Sequence, residues 1–303
     1  MDEKDLKNII LENLKDKNEE IKRVFHGRGN FYENFSFLTV DSLNDTFLVS
    51  FFEKNEKEKN LILFLEDIAK NSDFINFIVQ RRYKNENFYE AIFGQIPNDF
   101  IAIENGLKYK VSFKNKNIGL FFDMKKTREY VQLISKDKNV LNLFSYTCAF
   151  SVVCIFGKAS KVVNVDMSKA SLNIGKQNHI INNLDTKKAK FLPYNILKSL
   201  STIKKYAPFD IVIIDPPSFQ KNSFIASKDY KKIIKKLDLL TKKSSIILAC
   251  LNDPFLSSVF LIDLFEKETK NFKFLEKLEN SFEFPTNKQE NSLKSLVFKK
   301  YLD

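Results

Sequence analysis

Apolar and polar positions follow one pattern up to about residue 115 and another beyond it. Near the start, Leu6, Ile9, Ile10 and Leu14 recur at helical spacing behind a cluster of acids, which predicts a surface helix within residues 1–22. RVFHGRGNFYENF reads as a turn before a strand, or else as a loop touching phosphate. FSFLTVD (35–41) and TFLVSFF (46–52) are β-rich runs separated by four polar-biased positions, as in a hairpin. LILFLEDIAKN has helical spacing, and FINFIVQRRY and FIAIENGLKYKVSF read as further strands. Residues 23–115 therefore form a small α+β domain, with RNA binding or dimerisation as its expected role. Arg81, Arg82 and Lys84 end one of its strands, where they either meet an RNA backbone or guard a solvated sheet edge.

From residue 116 to 303, strands and helices alternate, the pattern of a parallel sheet. In GLFFDMKKTREYVQLISKD, Asp123 is the expected N-cap of a helix. NVLNLF, KVVNVD, AKFLP, FDIVIID and SIILAC supply strands, and Ser168 caps the helix KASLNIGKQNHIINNL. FKFLEKLE and SLVFKKYL close the sheet as an antiparallel pair. The expected fold is α/β, a Rossmann-like doubly wound sheet of seven strands with a smaller amino-terminal α+β domain.

Charge and cysteine content narrow the class. The 49 Lys+Arg against 38 Asp+Glu give +11, which permits a polyanionic partner, although a chain rich in Lys, Asn, Ile and Phe could reach that balance by compositional bias alone. Cys148, Cys154 and Cys250 are irregularly spaced and His26 and His179 lie far apart, so neither a disulfide framework nor a metal site is expected. The charged amino terminus offers no signal peptide and no apolar run spans a membrane, so the expectation is a soluble cytoplasmic protein.

Candidate chemistry centres on FDIVIIDPPSF (209–219). A buried strand ending in Asp215, Pro216 and Pro217 puts a carboxylate and rigid carbonyls where α/β sheets bind ligands. Upstream, NLFSYT leads into a helix with short hydroxyls and backbone N–H groups facing the turn, but the Gly-x-Gly-x-x-Gly fingerprint is absent. Asp166 ends the next strand, where an acid accepts both ribose hydroxyls. A nucleoside with an amino-acid tail, S-adenosylmethionine, fits both features.

GLFFDMKKTR, VLNLFSYTCAFSV, VVNVDMSKASL, the helix end holding Asn178 and Asn182, and FDIVIIDPPSF together resemble the motifs of class I S-adenosylmethionine-dependent methyltransferases related to the large-subunit ribosomal RNA cytosine-5 enzymes. The resemblance covers about residues 117–252. It implies that Ser145, Tyr146 and Thr147 surround the methionine end of the cofactor, Asp166 holds the ribose and Asn195 lies beside the adenine, with Asn142 and Met167 as further cofactor-binding residues. Asp123 and Arg128 would close the pocket, Asp215 would line the methyl-transfer position, and Pro216, Pro217, Ser218 and Phe219 would meet the substrate base. Cys148 stands where many relatives have glycine, Lys125 where an arginine is common, and Asn195 where an aspartate is frequent. The first domain resembles only the small middle domain of the longer relatives, so no separate amino-terminal RNA-binding module is expected; a homodimer is implied by the resemblance alone.

Cys250, at the end of SIILAC, matches the cysteine of the cytosine-5 relatives, with Leu251 and Asn252 following in place of their serine. Methylation at cytosine C5 needs a temporary nucleophile on C6, which a thiolate provides. The other reading of Cys250 is a small buried core residue. The function that the resemblance implies is methylation of RNA, ribosomal RNA in particular, at cytosine C5, with Asp215 and Cys250 catalytic. Alternatives are a purine amino or ring-nitrogen methyltransferase, a non-catalytic cofactor- or RNA-binding module, and a protein or small-molecule methyltransferase.

Overall fold

The computed structural model describes residues 1–86, 88–220 and 224–301, with the Phe219 side chain and residues 221–223 outside the description. The chain separates into two compact units, Met1–Phe122 with Ser281–Asn287, and Asp123–Asn280 with Lys288–Asp303.

In the first unit the elements are α1 (Glu3–Leu14), β1 (Ile21–His26), β2 (Leu38–Leu43), β3 (Thr46–Phe51), α2 (Glu58–Asn71), β4 (Asn76–Arg81), β5 (Tyr89–Phe93), β6 (Phe100–Glu104) and β7 (Leu107–Val111). β1 to β5 form one sheet in sequence order, antiparallel except for the parallel β3–β4 pair that α2 connects, and β6–β7 is a separate hairpin. Leu6, Ile10 and Leu14 of α1 are buried in the same core as Leu61 and Leu65 of α2, so the first helix is part of this unit's packing. An Asp2–Asp5 capping box starts it. RVFH is strand, the second half of β1, where a turn was expected, because Val24 and Phe25 are needed in that core.

The second unit contains α3 (Lys125–Ile134), β8 (Asn139–Leu143), α4 (Ala149–Phe156), β9 (Lys161–Val165), α5 (Lys169–Ile181), β10 (Ala189–Leu192), α6 (Ile196–Ile203) and β11 (Phe209–Ile214). A two-residue ladder, β12 (Phe219–Gln220) with β13 (Phe224–Ile225), precedes α7 (Ala226–Ile234), α8 (Leu237–Leu240), β14 (Thr241–Leu251), α9 (Ser258–Glu268), β15 (Phe272–Leu278) and β16 (Lys294–Lys300). The seven-stranded sheet runs β10-β9-β8-β11-β14-β16-β15, parallel from β10 to β14 and antiparallel at β16 and β15. This is the doubly wound sheet with a closing antiparallel pair that the pattern predicts. Its order reverses between β8 and β11, the point at whose carboxyl edge such sheets bind ligands. β11 reads as an unbroken apolar run because Ile211, Val212, Ile213 and Ile214 are buried on both faces.

One helix start differs from expectation. Asp123 lies in a 3₁₀ turn, Phe122–Met124, and Met124 is the N-cap of α3, without a side-chain cap. The Asp123 carboxylate is instead close enough to Asp215 to act on it electrostatically.

The turn after β8 explains the missing glycine fingerprint. Phe144, Tyr146 and Cys148 all have positive φ, at 57°, 45° and 61°. These alternate positions carry the left-handed backbone that glycine would adopt without strain, and side chains there cost about 1–3 kcal/mol each. Cys148, fully buried, gains its space from α5: a Cβ on Gly175 would lie 2.4 Å from the Cys148 Sγ and 2.8 Å from its Cβ. Glycine has thus moved from the turn to the helix facing it. Gly175→Ala should destabilise the protein by roughly 1–3 kcal/mol through overpacking, and Cys148→Gly in the same chain should recover most of that loss. Urea midpoints of the two single variants and the double variant test the coupling; additive losses would refute it.

Candidate active site

The loops at the carboxyl edge of β8, β9, β10, β11 and β14 bring most of the expected residues together. Asp166, directly after β9, accepts from the backbone N–H of Tyr146 at 2.9 Å through Oδ2 and from that of Ser168 at 2.8 Å through Oδ1. Each carboxylate oxygen keeps acceptor capacity for a further donor. Ser145 N donates to Val165 O at 3.1 Å and Asn178 Nδ2 to Thr147 O at 3.0 Å, which fixes the turn from both sides. Asn195 is the N-cap of α6, accepting from Lys198 N at 3.2 Å, and its Nδ2 lies 3.6 Å from the Met167 Sδ. Two expected cofactor residues on different loops are therefore in contact.

Asn142 is not at the edge but within the sheet. Its Nδ2 donates to Asn164 Oδ1 at 2.9 Å, Asn164 Nδ2 donates to Ser151 Oγ at 3.0 Å, and Ser151 is 2.9 Å from His179 Nε2. His179 Nδ1 is 2.8 Å from the Gly175 carbonyl, which can only accept. Nδ1 therefore carries the proton, Nε2 accepts from the Ser151 hydroxyl, and the direction of the whole chain is set. Burial lowers the His179 pKa, in keeping with a neutral ring. No pattern in the sequence links these four residues, because each falls on a different element.

Asp215 follows β11, and Cys250 lies in β14. The two strands run parallel with Ile214 opposite Ala249, so Asp215 and Cys250 come level one residue further on. Tyr230, wholly buried on α7, places its hydroxyl 3.1 Å from Ile214 O and 2.7 Å from Cys250 O, bracing both strand ends. From α3, Thr127 Oγ1 is 2.9 Å from Ser295 Oγ, which is 3.9 Å from the Cys250 Sγ. Arg128, next on that helix, is also buried. Burial and the Asp123 charge push the half-buried Asp215 up to about 7, against the opposing pull of Arg128. Burial and Asp215 likewise push the Cys250 thiol well above its ordinary range. An acid that is half-ionised near neutrality and a protonated thiol thus stand side by side.

Two loops that carry the expected substrate residues are tied together. Pro216 is buried, Pro217 exposed, and Ser218 Oγ donates to Asn252 O at 2.7 Å. The loop after β14 is held by Lys294, whose buried ammonium donates to the carbonyls of Asp253, Glu290 and Ser292 at 2.9, 2.7 and 2.9 Å. That loop presents Phe255 with 93% of its surface exposed. Phe255 was not singled out from sequence; NDPF after a buried strand is a turn signal, and nothing in it tells that the ring points to solvent. The expected stacking side chain, Phe219, lies outside the described residues.

S-adenosylmethionine fits these residues. The buried Ser145 Oγ lacks a hydrogen-bond partner, in the turn where an amino-acid tail would end, and Asp166 offers its remaining lone pairs beside it. Residues 22–299 match the model of a family described as S-adenosylmethionine-dependent methyltransferase. The chain belongs to that family. Among proteins similar to this chain, YwbD of Bacillus subtilis is 29% identical over 76% of this chain and 60% of its own. Ribosomal RNA large subunit methyltransferase I of Tolumonas auensis is 36% identical over 47% of this chain and 38% of its own. The chain therefore spans less than two thirds of the length of these curated relatives. Among solved structures, SMU.776 complexed with SAH superposes with a TM-score of 0.85 at 26% identity, covering 98% of this chain and 79% of that one.

Two outcomes follow for this chain. The folded-state value of about 7 for Asp215 lies above that of an unfolded aspartate, so the folded state holds an extra proton between about pH 4 and 7. Stability from this group is full below that window and is lost as the pH rises through about 7. Asp215→Asn should therefore match wild type in urea midpoint near pH 4 and exceed it at pH 8, by at most about 4 kcal/mol. Tyr230→Phe removes the single hydroxyl proton that two strand-end carbonyls share and should cost about 1–3 kcal/mol in the same assay.

Proposed function

We propose that this protein methylates cytosine C5 in large-subunit ribosomal RNA, in a reducing cytoplasm. The observation that carries this reading is the level placement of Asp215 and Cys250 on adjacent parallel strands. The names of the curated relatives support the RNA class, and the bound SAH of SMU.776 supports the cofactor.

S-adenosylmethionine supplies an electrophilic methyl group on its sulfonium centre. The chain must supply the rest. Asp166 would hold the ribose hydroxyls, Ser145 and Thr147 the methionine end, and Asn195 with Met167 the adenine. Pro216 and Pro217 would hold the edge of the target base by their rigid carbonyls, and Phe255 would stack on its face or on a neighbour.

A thiol held protonated does not react until the base arrives. Ionised Asp215 would take the Cys250 proton as the sulfur bonds to C6, and the electron pair placed on C5 would accept the methyl group as its bond to the sulfonium sulfur breaks and the neutral thioether leaves. Loss of the C5 proton to solvent would then expel the sulfur from C6 as a thiolate, which takes back the proton held by Asp215, restoring the aromatic ring and the free cysteine. Amino methylation of a purine needs no such sulfur bond, so the placement of the thiol level with Asp215 is what supports the C5 reading.

Purified protein with labelled cofactor and unmodified large-subunit RNA should yield 5-methylcytidine by nucleoside mass analysis. Cys250→Ser should lower turnover by at least ~10³-fold while binding S-adenosylmethionine normally by calorimetry; undiminished turnover, or a methylated purine, would sink the C5 proposal. Phe255→Ala should raise KM for RNA more than it lowers kcat.

A further inference from the structure

The first unit contains cations that the transfer chemistry does not use. The Arg28 guanidinium lies 4.4 Å from the centre of the Phe52 ring, and that of Arg82 5.3 Å from the same ring. Residues far apart in sequence, in the GRG turn and just beyond β4, thus converge on one aromatic side chain.

The turn that carries Arg28 is built to hold it in place. A Cβ on Gly27 would fall 1.8 Å from Phe35 O, and one on Gly29 would fall 1.9 Å from Pro285 O. Backbone on both sides of Arg28 is therefore pressed against other segments at distances that only glycine permits. The Gly29 carbonyl also accepts from Thr286 Oγ1 at 3.2 Å and from Asn287 N at 3.1 Å. HGRGN fixes the root of one long, exposed cationic side chain.

The partners of these arginines differ in kind from those of their neighbours. Arg81 is paired with Glu58 at 2.6 Å and Glu90 at 2.5 Å, and Arg23 is paired with Asp41. Arg82 donates to neutral acceptors, Lys116 O at 2.5 Å and Asn117 Oδ1 at 3.0 Å. Among the described residues, no carboxylate pairs with Arg28 or Arg82. Burial, and then the nearby charges of Arg28 and Arg23, lower the Arg82 pKa, so the folded chain holds these cations together at a cost. His26, pushed down to about 3 by burial and by Arg23 and Arg28, stays neutral and adds nothing to the charge. An arriving anion relieves the repulsion, and the exposed Arg28 guanidinium, with the N–H groups that Arg82 does not donate to Lys116, Asn117 and Gln80, can meet the oxygens of a phosphate.

We propose that Arg28 and Arg82, assembled on Phe52, form a phosphate-binding site in the first unit that takes the backbone of the RNA substrate. This rests on the reading of the protein as an RNA methyltransferase.

The test is fluorescence anisotropy of a labelled large-subunit RNA fragment against the full chain over a range of salt concentrations. Arg28→Gln and Arg82→Gln should each weaken binding by about 10-fold at low salt and make the slope of log Kd against log salt shallower by about 1. Arg28→Lys, which keeps the charge, should retain the wild-type slope, and calorimetric binding of S-adenosylmethionine should be unchanged in all three. If both glutamine variants bind RNA with wild-type affinity and slope while the wild type methylates RNA, the site is refuted and the RNA reading stands. If the wild type neither binds nor methylates RNA, both fall.

Discussion

The candidate site depends on a register. β11 and β14 are parallel neighbours about 4.8 Å apart, and because Ile214 faces Ala249, the carboxylate of Asp215 and the thiol of Cys250 arrive at the same height of the sheet. A slip of one residue would turn one of the two to the opposite face. The Tyr230 hydroxyl touches the carbonyl of the last β11 residue and that of Cys250 itself, so one phenol from α7 holds the register where it matters. The electrostatics then follow from position: removal from water and the Asp123 charge raise Asp215, and Asp215 in turn raises the thiol.

The cofactor edge shows a different economy of structure. The turn after β8 adopts the backbone of a glycine-rich loop using Phe144, Tyr146 and Cys148, and the strain is held by bonds from Asn178 and Asp166. The space that a glycine in the turn would leave is provided across the gap by Gly175. Rigidity there has a use, since a turn over-determined by its neighbours does not need to be ordered by its ligand.

Much of this was legible in the sequence. The switch to alternating strands and helices gave the sheet, because buried parallel strands read as unbroken apolar runs; FDIVIID and SIILAC are of this kind. Asp166, Asp215 and Cys250 could be placed because strand ends are legible, and strand ends are where this fold keeps its chemistry. What could not be read depends on contacts between distant segments. Asp123 looked like a helix cap because its spacing is right, yet Met124 is the N-cap of α3 and the Asp123 charge acts on Asp215. Phe255 looked like part of a turn, and only the fold exposes it. Arg28 and Arg82 looked like separate charges until Phe52 came between their segments.

The buried polar chain from His179 to Asn142 has a fixed direction. The Gly175 carbonyl determines which nitrogen of His179 is protonated, that ring orients the Ser151 hydroxyl, and the hydroxyl orients Asn164 and through it Asn142. Four side chains on β8, α4, β9 and α5 thus share a single hydrogen-bond polarity with no branch that could reverse it. A replacement of opposite donor sense at one of these positions would leave its neighbour in the chain facing a like group, so the four side chains constrain one another although they lie on four separate elements.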